Sequence, residues 1–331
     1  MDPVTQATLG ASASQSVRSK YRWIPVLCGM VGGMAPDLDI FIRSDTDPLL
    51  ALEFHRQFTH SLFFIPLGGL ICALVLHPLW RHRLALRETY LFTTVGYATH
   101  GLLDACTTYG TLLLWPFSYT RFAWNSVSVV DPLFTIPALL LVAASAIFAN
   151  KNLARIAMVW MLGYLLLGFI QHQRAVNVGF EISASRGHQP TRLEAKPAFA
   201  NILLWKIVYL HEDRFYVDAV RVGPLGHRVY PGDSVAKLDI ARDLPWLDLK
   251  SQQARDIERF RWFSNDYLAM DRGRADFVVD MRYSLLPNEI DALWGIQLSR
   301  AAGADTHVRY AARRSVTPER RAKLIDMLLD R

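Results

Sequence analysis

The chain has 331 residues, of which 51% are hydrophobic, with a formal net charge of +6 and a mean hydropathy of +0.14. That hydropathy is high for a soluble protein of one to three domains. So modest a charge argues against nucleic acid as a partner, because basic residues beside membrane segments serve topology first. The three cysteines, Cys28, Cys72 and Cys106, form no CxxC pair, which argues against a disulfide framework or a cysteine zinc site.

Asp2-Pro3 reads as a helix start, with Asp as N-cap and Pro at the first helical position. The first twenty residues therefore suggest a short surface or interfacial helix. They do not read as a secretory signal, because the basic residues follow the small-residue stretch and no apolar core comes after the start. Hydrophobic segments follow at about 23–42, 62–80, 89–105, 132–149 and 153–170. Spanning takes ~20 apolar residues. The second, fourth and fifth segments meet that, while the first and third carry polar groups. Residues 1–172 thus read as a mainly α membrane bundle of about five hydrophobic helices.

The basic residues give an orientation. Arg18, Lys20 and Arg22 precede the first segment, Arg81, Arg83 and Arg87 follow the second, and Lys151 and Arg155 precede the fifth. With all three groups cytoplasmic, the N-terminus is inside and the chain after Gln171 is outside. Asp37, Asp39, His55, His60, His100 and Asp104 then fall near one membrane face.

Residues 173–331 read as a small extramembrane α+β domain with mostly antiparallel strands. Strands are expected over 214–223, 275–284, 292–299 and 306–312 from their β-branched and aromatic content. Helices are expected over 251–270 and after Thr317-Pro318. No chemistry or protein partner can be assigned to this domain.

Ionisable groups in or beside membrane segments are costly, which makes them functional candidates. Histidine with aspartate suits a divalent metal: imidazole favours zinc or iron, and carboxylates extend the choice to manganese or magnesium. His100 and Asp104 are four residues apart, ~40° around a helix, so both face one way. His55 and His60 are five apart, ~140° on a regular helix, so they do not share a face. A loop-to-helix junction capped by Thr59 or Ser61 fits them better. Asp37 and Asp39 straddle Leu38 in a Pro-containing turn. Structural roles are the alternatives: Asp37 and Asp39 as helix caps, and His100 with Asp104 as a buried hydrogen-bonded pair. In the aromatic loop after Asp104, Arg121 could clamp a phosphate or carboxylate, and Asp131 could cap the fourth segment.

The ordered motifs Pro36-Asp37-Leu38-Asp39, His55-Arg56-x-x-Thr59-His60-Ser61 and His100-x-x-x-Asp104-x-x-Thr107-x-Tyr109-Gly110 resemble the YdjM-like family. Its members are bacterial inner-membrane proteins assigned by inference as metal-dependent hydrolases. The resemblance covers about residues 1–172 and implies a membrane-embedded site with ligands at Asp37, Asp39, His55, His60, His100 and Asp104. Many members carry Thr-His near the start, where this chain has Thr5-Gln6, and glutamine is a poor metal ligand.

The leading expectation is therefore a membrane-bound hydrolase using a divalent ion, zinc first and manganese or magnesium next. His55, His60, His100 and Asp104 would be ligands. Asp39 would be a ligand or general base, with Asp37 supporting it, and Arg56 or Arg121 would hold an anionic group. A site at the outer interface favours a lipid or lipid-linked phosphoester. An ion-binding transporter and a membrane-anchored scaffold are the alternatives.

Overall fold

The computed structural model describes residues 1–17, 20–313 and 317–331; Arg18, of the first basic group, lies outside them. Packing divides the chain into two units. The first comprises Met1–Ile42, Phe54–Ile170 and Phe199–Asn201, and the second Arg43–Glu53, Gln171–Ala198 and Ile202–Arg331.

The helices in chain order are α1 (Pro3–Ser16), α2 (Trp23–Met34), α3 (Leu50–Phe54), α4 (Ile65–Leu76), α5 (Leu86–Ala105), α6 (Pro132–Phe148) and α7 (Lys151–Ser185). α1 starts as expected, with the Asp2 side chain accepting from the Thr5 backbone N–H and Pro3 in the first turn. It is not a surface helix, however: Thr5 through Ser12 are all buried. The cause is its small side chains. A Cβ on Gly10 would lie 2.3 Å from Gly29 O, one on Gly33 2.5 Å from Gln6 O, and one on Gly96 2.4 Å from Gly29 O. α1, α2 and α5 thus meet backbone to backbone, the close approach that glycine allows between membrane helices.

Three stretches among the described residues are long and apolar enough to cross a membrane: Trp23–Phe41, Leu62–Leu79 and Lys151–Ser185. This corrects the expectation of about five. α5 is long enough but buries Thr89, Thr93, Tyr97, His100 and Asp104 against its neighbours, so its composition is that of an internal helix. α6 has 17 residues and stops at Ala149, whose φ of 54° is left-handed. Leu67, Ile71, Leu74 and Val75 on α4 and Leu162, Leu166 and Ile170 on α7 are exposed, an outward apolar surface suited to lipid. α7 runs on past the expected end at residue 170.

The second unit is sheet-rich and antiparallel. One sheet has the order β1 (Arg192–Pro197), β2 (Leu204–His211), β3 (Arg214–Val222), β4 (His227–Tyr230), with β5 (Ser234–Ala236) also pairing β3. After α8 (Ile240–Asp243) and α9 (Gln252–Phe263), β6 (Leu268–Asp271), β7 (Arg274–Asp280), β8 (Trp294–Gln297) and β9 (Arg309–Ala312) form the other, and α10 (Pro318–Leu329) closes the chain. Val208, Phe215, Val217, Tyr267, Phe277 and Val279 pack into one core. The helix expected over 251–270 begins with Ser251 as N-cap but ends at Phe263. Asn265 and Asp266 are left-handed there, at φ 51° and 60°, and Leu268 starts a strand.

Candidate metal centre

Three local devices assemble the polar cluster of the first unit. Past α2 the chain tightens into a 3-10 turn, Ala35–Phe41, with Pro36 at its start, which carries Asp37 and Asp39. After α3, Arg56 takes a left-handed φ of 65° and reverses the chain. The next 3-10 turn, Phe58–His60, then brings the His60 ring within 5.8 Å of the His55 ring, centroid to centroid. Ser61 caps the succeeding turn, Leu62–Phe64, by accepting from the Phe63 N–H at 3.2 Å. His100 and Asp104 sit one turn apart on α5, both fully buried.

Asp37, His60, His100 and Asp104 present four donor atoms to one another. His60 Nε2 and His100 Nε2 are 2.9 Å apart. Asp37 Oδ1 lies 3.4 Å from each of them. Asp104 Oδ2 lies 3.3 Å from His60 Nε2 and 3.7 Å from His100 Nε2. Tetrahedral zinc with bonds of ~2.0–2.1 Å sets its ligand atoms roughly 3.3 Å apart. The measured separations bracket that value, so the donor set fits such an ion.

The tautomers point the same way. His100 Nδ1 lies 2.5 Å from Gly33 O, which can only accept, so the proton is on Nδ1. His60 Nδ1 is 3.0 Å from Thr59 Oγ1 and 3.3 Å from Asp39 Oδ2, and Thr59 gives its own proton to Asp39. In the neutral rings both Nε2 atoms then carry the lone pair, and they face each other. Histidine ligands are held in this way, through the far nitrogen, by a carbonyl or carboxylate. Asp104 Oδ2 is buried without a hydrogen bond; Arg56 Nε is 2.9 Å away but misaligned for one.

Asp37, Asp39 and His55 form a second group. His55 Nδ1 meets Asp39 Oδ1 at 2.7 Å. Asp39 Oδ2 accepts from the Arg56 N–H and the Thr59 hydroxyl, each at 3.0 Å. Asp37 thus lies with the buried histidines, while Asp39 contacts both His55 and His60 and belongs to the second group.

Arg56 lies inside the cluster, bound through Nη1 to Thr107 Oγ1 at 2.8 Å and stacked 5.1 Å above the Tyr109 ring. Arg121 lies outside both groups and donates to Gly110 O at 3.0 Å. Asp131 caps α6, accepting from Leu133 and Phe134. Gln6 is a member that residue chemistry alone passes over: its Nε2 donates to Asp104 Oδ1 at 2.9 Å, and its buried Oε1 has no hydrogen bond. The Met1 amino group also donates to Asp104. The family's Thr-His position is the signal that Gln6 matters.

The family described as YdjM inner membrane protein matches residues 1–175, which contain both groups and end within α7. The chain belongs to this family. Inner membrane protein YbcI of Escherichia coli (strain K12) is 30% identical over 153 residues, covering 45% of this chain and 84% of that protein. No solved structure matches. The sheets of this YdjM-family protein begin at Arg192, beyond the matched stretch.

Proposed function

We propose that this inner-membrane protein is a metal-dependent hydrolase of a lipid or lipid-linked phosphoester, working at the outer face of the membrane. The observation that carries this reading is the pair of facing Nε2 atoms, 2.9 Å apart, with Asp37 and Asp104 alongside. Two buried lone pairs repel unless a proton or a cation lies between them; carboxylates stabilise either charge, and the convergence of four donors supports the cation. His60, His100, Asp104 and Asp37 would hold it. A bound divalent ion lowers the pKa of water and polarises a scissile ester. Arg56 offsets the Asp104 charge, and Asp39 fixes the His60 ring through Nδ1. Asp37 and His55, with side chains 22% and 32% exposed, mark the open side by which a substrate arrives. The outer face rests on the basic residues Lys20, Arg22, Arg81, Arg83, Arg87, Lys151 and Arg155 being cytoplasmic.

The test is metal content of the detergent-purified protein, together with phosphate release from vesicles containing phosphatidate or a polyprenyl phosphate. Wild type is expected to carry tightly bound divalent metal and to turn over one of these esters. His60→Ala and His100→Ala should lose both properties. A folded wild type free of metal after incubation with zinc, manganese or magnesium would sink the reading. Ion uptake into vesicles without product would indicate a transporter instead.

A further inference from the structure

We infer that the centre holds two divalent ions bridged by Asp37, and that its substrate is a phosphoester anion. This rests on the metal-dependent reading above. The His60 ring separates two positions. Its Nε2 faces His100, Asp104 and Asp37, while its Nδ1 faces Asp39 Oδ2. An ion on Nε2 cannot also touch Asp39 and His55, because the ring stands between them. Yet Asp39, His55 and Asp37 converge as a group of their own, and Asp37 is common to both groups. Asp39 Oδ2 is taken up by the Arg56 N–H, the Thr59 hydroxyl and His60, which turns Oδ1 toward His55. Asp39 Oδ1 and His55 Nδ1, 2.7 Å apart, are close enough for one ion to reach both. Asp37 Oδ1 is equidistant from the two buried Nε2 atoms, and a carboxylate can give its other oxygen to a second ion.

Charge ties the second ion to an anionic substrate. Three carboxylates gather here, two of them buried, with Arg56 among them. Two divalent ions and the guanidinium outweigh the three carboxylates, and an anionic phosphoester would neutralise the surplus. Paired ions of this kind clamp the attacking and leaving oxygens of an in-line displacement at phosphorus.

The experiment is elemental analysis of full-length protein loaded with manganese in detergent and freed of excess ion, with electron paramagnetic resonance on the same samples. Wild type should hold two manganese ions per chain and show a spin-coupled spectrum. His55→Ala should hold one ion and give an uncoupled spectrum, and Asp37→Ala should lose the coupling. One ion per chain, uncoupled, in wild type and His55→Ala alike would overturn the two-ion centre and leave the hydrolase reading standing. No bound ion in wild type would overturn both. The wild-type spectrum decides the matter even where a variant fails to fold.

Discussion

Both units of this protein bury aspartates and cationic or imidazole side chains, but they balance them differently. In the second unit several buried charges are answered by a close ion-pair partner. Arg282 grips Asp280 through Nε and Nη2 at 2.9 and 2.7 Å, Arg186 grips Asp218 at 2.7 and 2.8 Å, and Lys196 meets Glu194 at 2.5 Å. Burial alone would raise the Glu194 carboxyl, yet the Lys196 ammonium beside it holds it at about 2. In the first unit two imidazole Nε2 atoms converge at 2.9 Å with Asp37 and Asp104 beside them, and the buried Asp104 Oδ2 has no hydrogen bond. On the metal-dependent reading proposed above, the contrast separates a network that closes on itself from one whose donors converge on a common point, although both draw on the same residue types.

The strongest way to break the comparison is to remove one partner from a closed pair. Asp280→Ala strands Arg282, which is 4% exposed, and losing one side of a buried pair costs about 3–5 kcal/mol. Thermal unfolding followed by near-ultraviolet circular dichroism should register this loss. The double variant Asp280→Ala/Arg282→Met should recover most of it. In metal-free protein His100→Ala should cost less than Asp280→Ala, because it truncates a hydrogen-bonded imidazole and not one side of an arginine–aspartate pair. If the two costs are equal, the open cluster is structural too and the contrast fails.

Much of the open cluster is legible in the amino-acid sequence. The four-residue step from His100 to Asp104 places both on one helical face, and the five-residue step from His55 to His60 demands a turn, which Arg56 supplies. The division of labour between Asp37 and Asp39 is not legible. It depends on the pitch of the 3-10 turn, which directs Asp37 to the Nε2 atoms of His60 and His100 and Asp39 to the Nδ1 atoms of His55 and His60. Gln6 carries no signal of its own, since an amide is ordinary on a helix. The burial of α1 departs from expectation for a related reason: small polar residues look like surface in a soluble protein, but they let membrane helices touch. In the second unit the strands β3, β7, β8 and β9 are readable, whereas β1, β2, β4, β5 and β6 fall outside the expectation, β2 despite its apolar content. The helix expected over 251–270 overshoots because two left-handed residues, Asn265 and Asp266, are not glycines.

A smaller effect tests how tightly the open cluster depends on its scaffold. A Cβ on Gly29 would lie 2.3 Å from Gly10 O and 2.5 Å from Ser14 Oγ, and the carbonyl cannot move without shifting α1. Gly29→Ala should therefore cost about 1–3 kcal/mol through overpacking. α1 carries Gln6, and the neighbouring α2 carries Gly33, whose carbonyl orients His100. The variant should accordingly bind metal more weakly than wild type while the second unit melts unchanged. Metal affinity equal to wild type would show that the cluster does not depend on this helix crossing.

The last prediction concerns a single buried group and its dependence on pH. Lys206 on β2 is buried, and its Nζ donates to Ser284 Oγ and Glu289 O, each at 2.8 Å. Burial pushes its ammonium down to about 7, against the pull of Glu289 and Asp280, from an ordinary 10.5. Between those two values the unfolded chain holds a proton that the folded chain has released. Stability must therefore rise with pH across that window, by about 1 kcal/mol per pH unit for one such proton. Denaturant unfolding of wild type and Lys206→Met at pH 7 and pH 9 measures the difference. The wild-type curve should climb relative to the variant, because methionine has no proton to release. Parallel curves would mean that Lys206 stays charged in the fold, held by its partners as firmly as the arginines of the same unit, and would place it among the fully compensated ions.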